Sequence, residues 1–378
     1  MGQTRFSISL DPKRITFLYL STRRYVAAST WPRFTLLGQS LGSLVLAWDA
    51  FNLLVPDVFI DTMGYAFAVA FAKMLFGFPT AAYVHYPTIS TDMLESLPAG
   101  DAGDVRARAK RQYWLLFAAL YRRCGNYVDR VMVNSSWTAA HMRSLWRAKD
   151  VAVVFPPCAV AELLRETPAD AAPAAAAAAG RSREKVLLCI AQFRPEKRHK
   201  LLIEAFSTFY KATTVHKDAR LVLVGSVRHS EDATRVYDLR IQTREMGVRD
   251  QVVFVTDAPW GEVREWLGRA WVGVNAMWNE HFGIGVVEYQ AAGLVSVVHD
   301  SGGPKEDIVV GEGRTGFHAT TADDFAAAFE KALSMPEEEV LEMRTQARQS
   351  ARRFDEETFD GLWLAEFAKL MALEERSR

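Results

Sequence analysis

The chain has 378 residues, 49% of them hydrophobic and 24% charged, a composition that excludes a disordered protein and leaves room for two domains of ordinary size. Lysine plus arginine and aspartate plus glutamate both number 45, so the overall charge gives no reason to expect nucleic acid as a partner. The distribution is uneven: residues 1–150 hold 17 Lys/Arg against 10 Asp/Glu and the remainder 28 against 35, which suits the first part to an anionic substrate or a membrane surface, and equally to ordinary solvated faces.

The opening stretch MGQTRFSISLDPKR lacks an apolar core, so no signal peptide is expected. Two apolar runs follow, FTLLGQSLGSLVLAWDAFNLL, interrupted by Gln39 and Asp49, and GYAFAVAFAKMLFGFPTAAYV, interrupted by Lys73 and Pro79. A charge at the centre of a membrane span costs about 2.5–3.5 kcal/mol, so both runs predict buried core, the second splitting at Gly-Phe-Pro into a helix and a strand. Strands are predicted at 57–61, 80–86, 130–134 and 151–155, with a helix around 105–123. Asn134-Ser135-Ser136 fits a glycosylation sequon, but it follows the apolar VMV and reads as the end of a buried strand. PADAAPAAAAAAG (168–180) reads as a linker, after which strands are predicted at 185–191, 220–225, 251–255, 271–276 and 294–298. Helices fill the gaps near 198–212, 231–246, 260–269 and 284–292, and apolar residues at helical spacing predict a last helix within 355–378. Near-continuous apolar strands alternating with helices mean parallel sheets covered on both faces. The expectation is an α/β protein of two Rossmann-like parallel-sheet domains facing a cleft: residues 1–165, a linker at 166–183, residues 184–354, and the helix of 355–378 crossing back to the first domain. Cys124, Cys158 and Cys189 are scattered without zinc-ligand spacing and fit a reducing compartment.

In such sheets ligands bind beyond the carboxyl ends of the strands. After KVLLCIA stands QFRPEKRHKLL, where Arg194 and Lys197 could neutralise a diphosphate beside a helix start, although Pro195 and Glu196 equally suit an ordinary exposed first turn. Gly225 and Ser226 end the next strand and would let a ligand approach the backbone, or simply mark a tight turn. MWNEHFGIGVVEYQAAG places Glu280 on a loop, Gly283-Ile284-Gly285 at a helix start and Glu288 about one turn inside that helix. The unsatisfied amides and dipole of a helix start favour phosphate or clustered hydroxyls. A carboxylate one turn in can accept two hydrogen bonds from a vicinal diol such as ribose. The glycine pair of DSGGPKED, which includes Gly303, follows the next strand and is expected beside the same ligand.

These residues carry a resemblance. NEHFGIGVVE resembles the E-x7-E motif of family 4 glycosyltransferases, which use nucleotide-sugar donors on a GT-B fold. YVHYPTISTDML, VNSSWT, FPPC, QFRPEKRHKLL and SGGPKEDIVV extend it, from about Phe6 to the last helix, to the eukaryotic α-1,2-mannosyltransferases that use GDP-mannose and a dolichol-diphosphate-linked oligosaccharide. The resemblance implies a retaining enzyme that adds the fourth and fifth mannoses at the cytosolic face of the endoplasmic reticulum membrane and needs no metal, in keeping with the absence of an Asp-x-Asp motif. It implies that Glu288 binds the guanosine ribose, Glu280 the mannose hydroxyls, the amides of Phe282, Gly283 and Ile284 the sugar and diphosphate, and Lys197 with Arg194 the phosphates. The arginine usual five residues before that lysine is Gln192 here. His85 matches a histidine on the sugar and acceptor side, and Asp92 is either an acceptor-side residue or the N-cap of a helix. Other mannosyltransferases of the same pathway are implied partners, as is the membrane surface, and nucleic acid is not.

A GT-B N-terminal domain opens with a strand and a glycine-rich loop, and this chain begins beyond them. Its N-terminal domain is therefore expected to be incomplete, with unpaired sheet edges. On that expectation the chain alone, without the family's membrane anchor, is unstable or inactive. The competing readings are another family 4 transferase with a different donor or acceptor, a non-catalytic protein that binds nucleotide sugar, and a nucleotide-sugar 2-epimerase.

Overall fold

The computed structural model describes Asp11 and residues 13–88, 105–167 and 183–375. They form two compact units, one of residues 1–132, 141–151 and 366–378, the other of 133–140 and 152–365.

In chain order, the first part contains α1 (Thr35–Leu53), β1 (Phe59–Asp61), α2 (Ala66–Phe76), β2 (Thr80–Val84), α3 (Val105–Gly125), β3 (Arg130–Val133), α4 (Ser136–Trp146) and β4 (Val151–Val153), with strand order β1-β2-β3-β4. The second apolar run divides as its Gly-Phe-Pro predicted. Helix α2 buries Ala66, Ala68, Val69, Ala70 and Ala72, and ends at Gly77, whose φ of +73° suits glycine. Asp129 then fixes the entry to β2: its carboxylate takes the Lys73 ammonium at 2.7 Å and the Thr80 N–H at 2.9 Å.

The first apolar run departs from the expectation of buried core. It forms α1, but the buried side is built from Gly38, Gly42, Ser43, Ala47 and Phe51, while Leu41, Val45 and Trp48 are about half exposed. Small residues turn inward because the backbone approaches closely there: a Cβ on Gly42 would lie 2.1 Å from the Tyr25 carbonyl oxygen. Asp49, within the same run, accepts a hydrogen bond from Thr22 at 2.7 Å. Among the described residues no helix is long and apolar enough to cross a membrane. Asn134 is buried at the end of β3 and accepts from Thr138 at 2.8 Å, as the strand reading of the sequon expected.

The second unit begins its main run with α5 (Val160–Glu166), then β5 (Glu184–Ile190), α6 (His199–Ala212), β6 (Arg220–Gly225), α7 (Ser230–Glu245), β7 (Val252–Thr256), α8 (Trp260–Arg269), β8 (Ala270–Asn275), α9 (Ile284–Ala292), β9 (Val295–His299), β10 (Phe317–Ala319), α10 (Ala322–Ser334) and α11 (Glu337–Ala351). Six strands pair in parallel in the order β10-β9-β8-β5-β6-β7. Both faces are covered, and alternate residues show it. Leu187 and Cys189 of β5, with Leu221 and Leu223 of β6, join one core with Phe206 of α6 and Phe329 of α10. Val186 and Leu188, with Val222 and Val224, join the other with Leu163 of α5 and Val286 of α9. Side chains in a strand alternate between faces, so a run buried on both sides reads as continuously apolar. Helix α10 starts with a reciprocal cap in which Asp324 accepts from the Thr321 N–H at 2.8 Å and its own N–H reaches the Thr321 hydroxyl at 3.2 Å.

The last helix, α12 (Glu356–Glu375), changes unit along its length, since residues from Glu366 onward group with the first. Within that first unit Glu366 accepts from the Arg130 Nε at 3.0 Å and from Lys369 at 2.5 Å.

Candidate active site

Topology decides where a ligand can sit in the second unit. From β5 the chain builds outward through β6 to β7, then returns to place β8 on the other side of β5. The loops leaving β5 and β8 therefore diverge and open a crevice at the strand ends. Lys197 is on the first loop and Glu280 on the second. Their side chains meet, with 2.5 Å between the ammonium and the carboxylate, and both are largely shielded at 22% and 12% exposure.

Several groups hold Glu280 in place. Asn275, at the end of β8, reaches its carboxylate at 3.5 Å. Asn279 turns the chain with a left-handed φ of +50°, and its N–H donates to the Ser301 hydroxyl at 2.8 Å. The Gly303 N–H donates to the Glu280 carbonyl at 2.8 Å. Behind that carbonyl the backbones are too close for side chains, since a Cβ on Gly303 would lie 2.7 Å from the His281 oxygen and Phe282. Gly303 thus supports the Glu280 loop from behind. Gly225 has a comparable place, with the Ala191 carbonyl 2.1 Å from where its Cβ would be.

Gly283, at φ +104°, leads into α9 without a side-chain cap. The first amides of a helix have no intrahelical acceptor and concentrate positive potential, so this end can receive an anion or hydroxyl oxygens. Ile284 stands half-exposed there, whereas the Phe282 ring is buried between Phe155 and Phe354. Only the Phe282 backbone is then suited to a ligand. One turn on, burial pushes the Glu288 carboxyl up to about 7. The neighbouring Tyr289 hydroxyl accepts from the Ile190 N–H at 2.7 Å, tying α9 to the end of β5.

Arg194 is not brought to this pair. Its guanidinium faces Glu196 at 3.9 Å and lines a separate cavity of about 390 Å³ with Arg198, His199, Lys200 and Arg235. The reason is local: Arg194 precedes the tight turn Pro195–Lys197 with extended backbone, φ −121° and ψ 156°, so its side chain leaves the chain before the turn that presents Lys197. In the first unit, His85 follows β2 with its ring 4.8 Å from Tyr83. Desolvation lowers its pKa, and Asp61 pulls in the other direction. Asp61 is buried at the end of β1 and accepts from the N–H groups of Met63 and Gly64 at 3.1 and 2.9 Å, yet burial raises its pKa. The sequence reading passed over Asp61, Asn275, Ser301 and Tyr289; an acid at the end of a predicted strand was the available signal for the first. Asp92 lies outside the described residues. Among the described residues no three His, Cys, Asp or Glu side chains are grouped to hold a metal ion.

Comparison with known proteins identifies the family and the fold. Residues 2–146 match the family model described as ALG11 mannosyltransferase N-terminus, and residues 175–354 that of glycosyl transferases group 1. The chain is 54% identical to the GDP-Man:Man(3)GlcNAc(2)-PP-Dol alpha-1,2-mannosyltransferase of Neurospora crassa, covering 98% of this chain and 71% of the relative. It is 41% identical to the Homo sapiens protein of the same name, covering 97% and 76%. Among solved structures, an Anabaena protein, Alr3699/HepE in complex with UDP, superposes with a TM-score of 0.66 at 17% identity over 88% of this chain and 84% of that one. An α,α-trehalose 6-phosphate synthase from Burkholderia multivorans gives 0.68 at 15% identity over 94% and 83%. The fold is GT-B, and the chain belongs to the GDP-Man:Man(3)GlcNAc(2)-PP-Dol alpha-1,2-mannosyltransferase family of the family 4 glycosyltransferases.

Proposed function

We propose that this protein transfers mannose from GDP-mannose to a dolichol-diphosphate-linked oligosaccharide that carries three mannoses, forming an α-1,2 linkage. The observation that carries the reading is the contact between Lys197 and Glu280 beside the open start of α9. One group is suited to a departing diphosphate, one to sugar hydroxyls, and the helix amides to either. A diphosphate drawn to Lys197 competes with Glu280 for the ammonium and leaves that carboxylate to accept from mannose hydroxyls. Glu288 accepts from the ribose diol. As the bond from mannose C1 to the phosphate oxygen breaks, the acceptor 2-hydroxyl bonds to C1 on the same face, and its proton passes to the leaving phosphate oxygen. The protein contributes position and a fixed positive field around the diphosphate. His85 and Asp92 are proposed for the acceptor side, and the cytosolic face of the endoplasmic reticulum membrane is proposed as the place of the reaction, in keeping with a lipid-linked acceptor.

The test is an assay with GDP-mannose and a lipid-diphosphate-linked trimannosyl chitobiose. The expected product is longer by one or two hexoses and is shortened again by an α-1,2-specific mannosidase. Binding of GDP-mannose without product would instead support a nucleotide-sugar-binding protein or another acceptor, and absence of binding would overturn the donor.

A further inference from the structure

Beside the Lys197–Glu280 pair lies a second feature of the same unit, a cavity of about 630 Å³ lined by Glu196, Arg198, Trp278, Asp300, Ser301 and Thr320. We infer that it is a carbohydrate subsite, in which the face of Trp278 receives a pyranose ring of the acceptor glycan. This rests on the transferase reading above and extends it to the acceptor.

Position is the first argument. The lining comes from the segments that leave β5, β8, β9 and β10, at the strand ends where ligands of such sheets bind. It also shares both loops of the pair: Glu196 and Arg198 flank Lys197, and Trp278 stands two residues before Glu280. A sugar stacked on Trp278 is thus held next to the carboxylate proposed for the transferred mannose.

The lining chemistry is the second. Trp278 is 56% exposed at the cavity while the groups around it are carboxylates, a guanidinium, the His299 imidazole and hydroxyls. An acyl chain would meet Trp278 as the one large apolar side chain of the lining. A second diphosphate would meet two carboxylates against one guanidinium and the His299 imidazole, whose pKa is lowered by burial, and the Lys305 ammonium beside Asp300 is already engaged at 2.8 Å. A neutral ring with one apolar C–H face and a rim of hydroxyls suits both parts of the lining.

Backbone conformation supplies the third. Arg198 and Asn279 hold left-handed φ angles of +54° and +50°, and they adjoin Lys197 and Glu280 respectively. Non-glycine residues keep such angles where surrounding structure enforces them, and these cluster at ligand sites. Here the Ser301 hydroxyl enforces one of them by accepting the Asn279 N–H, and it is itself 2.8 Å from the His299 Nδ1. The loop that presents Trp278 is fixed from within the cavity wall.

The test titrates the full chain with soluble trimannosyl-chitobiose glycan and, separately, with GDP-mannose, using wild type, Trp278→Ala and Trp278→Phe. Trp278→Ala is expected to weaken glycan binding about tenfold and to raise the acceptor KM by a like factor, with GDP-mannose affinity held within about twofold and Trp278→Phe recovering most of the loss. The retained GDP-mannose affinity also shows that the variant is folded. Unchanged glycan affinity in Trp278→Ala overturns the inference, as does a wild type that does not bind the glycan at millimolar concentration. A parallel loss of GDP-mannose affinity that Trp278→Phe restores overturns it too, by moving Trp278 to the donor. If wild type binds the glycan through Trp278 but transfers nothing, the subsite stands and the transferase reading falls.

Discussion

Glu288 is a carboxyl that the fold keeps protonated up to about pH 7. To accept two ribose hydroxyls it must give that proton up, so donor binding and protonation compete. GDP-mannose affinity is expected to fall as pH is lowered from 8 to 6, approaching tenfold per unit below the pKa, and calorimetry across that range checks it. Glu288→Gln should bind more weakly, by about 1.5–3 kcal/mol, with the pH dependence gone. Glu280→Gln should act on a different quantity, slowing single-turnover transfer about a hundredfold while leaving the donor Kd nearly unchanged. The positions of both acids were legible because a glycine-marked helix start stands between them beyond a strongly apolar strand, which puts Glu280 on the loop and Glu288 in the helix. What could not be read was which side chains meet. Lys197, at the end of the tight turn Pro195–Lys197, meets Glu280, while Arg194, extended before it, meets Glu196, and such a local change of backbone leaves no periodic trace in the sequence. Tyr289 was hidden for the opposite reason: in an apolar helix it reads as one more core residue, and only its hydroxyl on the Ile190 amide reveals its task.

Elements differ in how plainly their sequences announce them. Strands β5 to β9 are continuous apolar runs and fall where expected, whereas β10 is three residues long and too short to show a pattern. Helix α1 misled because its total hydrophobicity is high while its buried side is made of glycine, serine and alanine with Phe51 as the one large residue; close backbone approach, which decides this, does not register as hydrophobicity. The segment after β9 backs the Glu280 loop so closely that Gly303→Ala should push it, lowering activity together with stability by about 1–3 kcal/mol in denaturant unfolding. Helix α12 offers a comparison away from the site. Arg130 is 15% exposed and its partner Glu366 only 8%, so Glu366→Ala strips a shielded guanidinium of one carboxylate and should cost about 1–3 kcal/mol without changing GDP-mannose affinity.

For the whole molecule, the site carries a stability cost whose sign can be worked out. Glu288 titrates near the ordinary 4.5 when unfolded and at about 7 when folded, so between those values the unfolded chain has lost a proton that the folded one keeps. Its contribution to stability therefore falls as pH rises through that window and is constant above it. Glu288→Gln removes the term, so the variant should gain on wild type across the window, by at most about 3 kcal/mol at pH 8, as read from unfolding midpoints. The two-sided packing of β5 has a different consequence. Its successive residues Val186, Leu187, Leu188 and Cys189 feed opposite cores with side chains of similar character. Deleting one of them would exchange the two sets with little change in what either core receives, so folding would tolerate the lesion better than a strand with one wet face could. The missing step, about 3.3 Å of strand, would instead be taken up at the carboxyl end, drawing Lys197 back from Glu280. A genetic screen of single-codon deletions in this strand should then recover chains that accumulate as folded protein and have lost turnover.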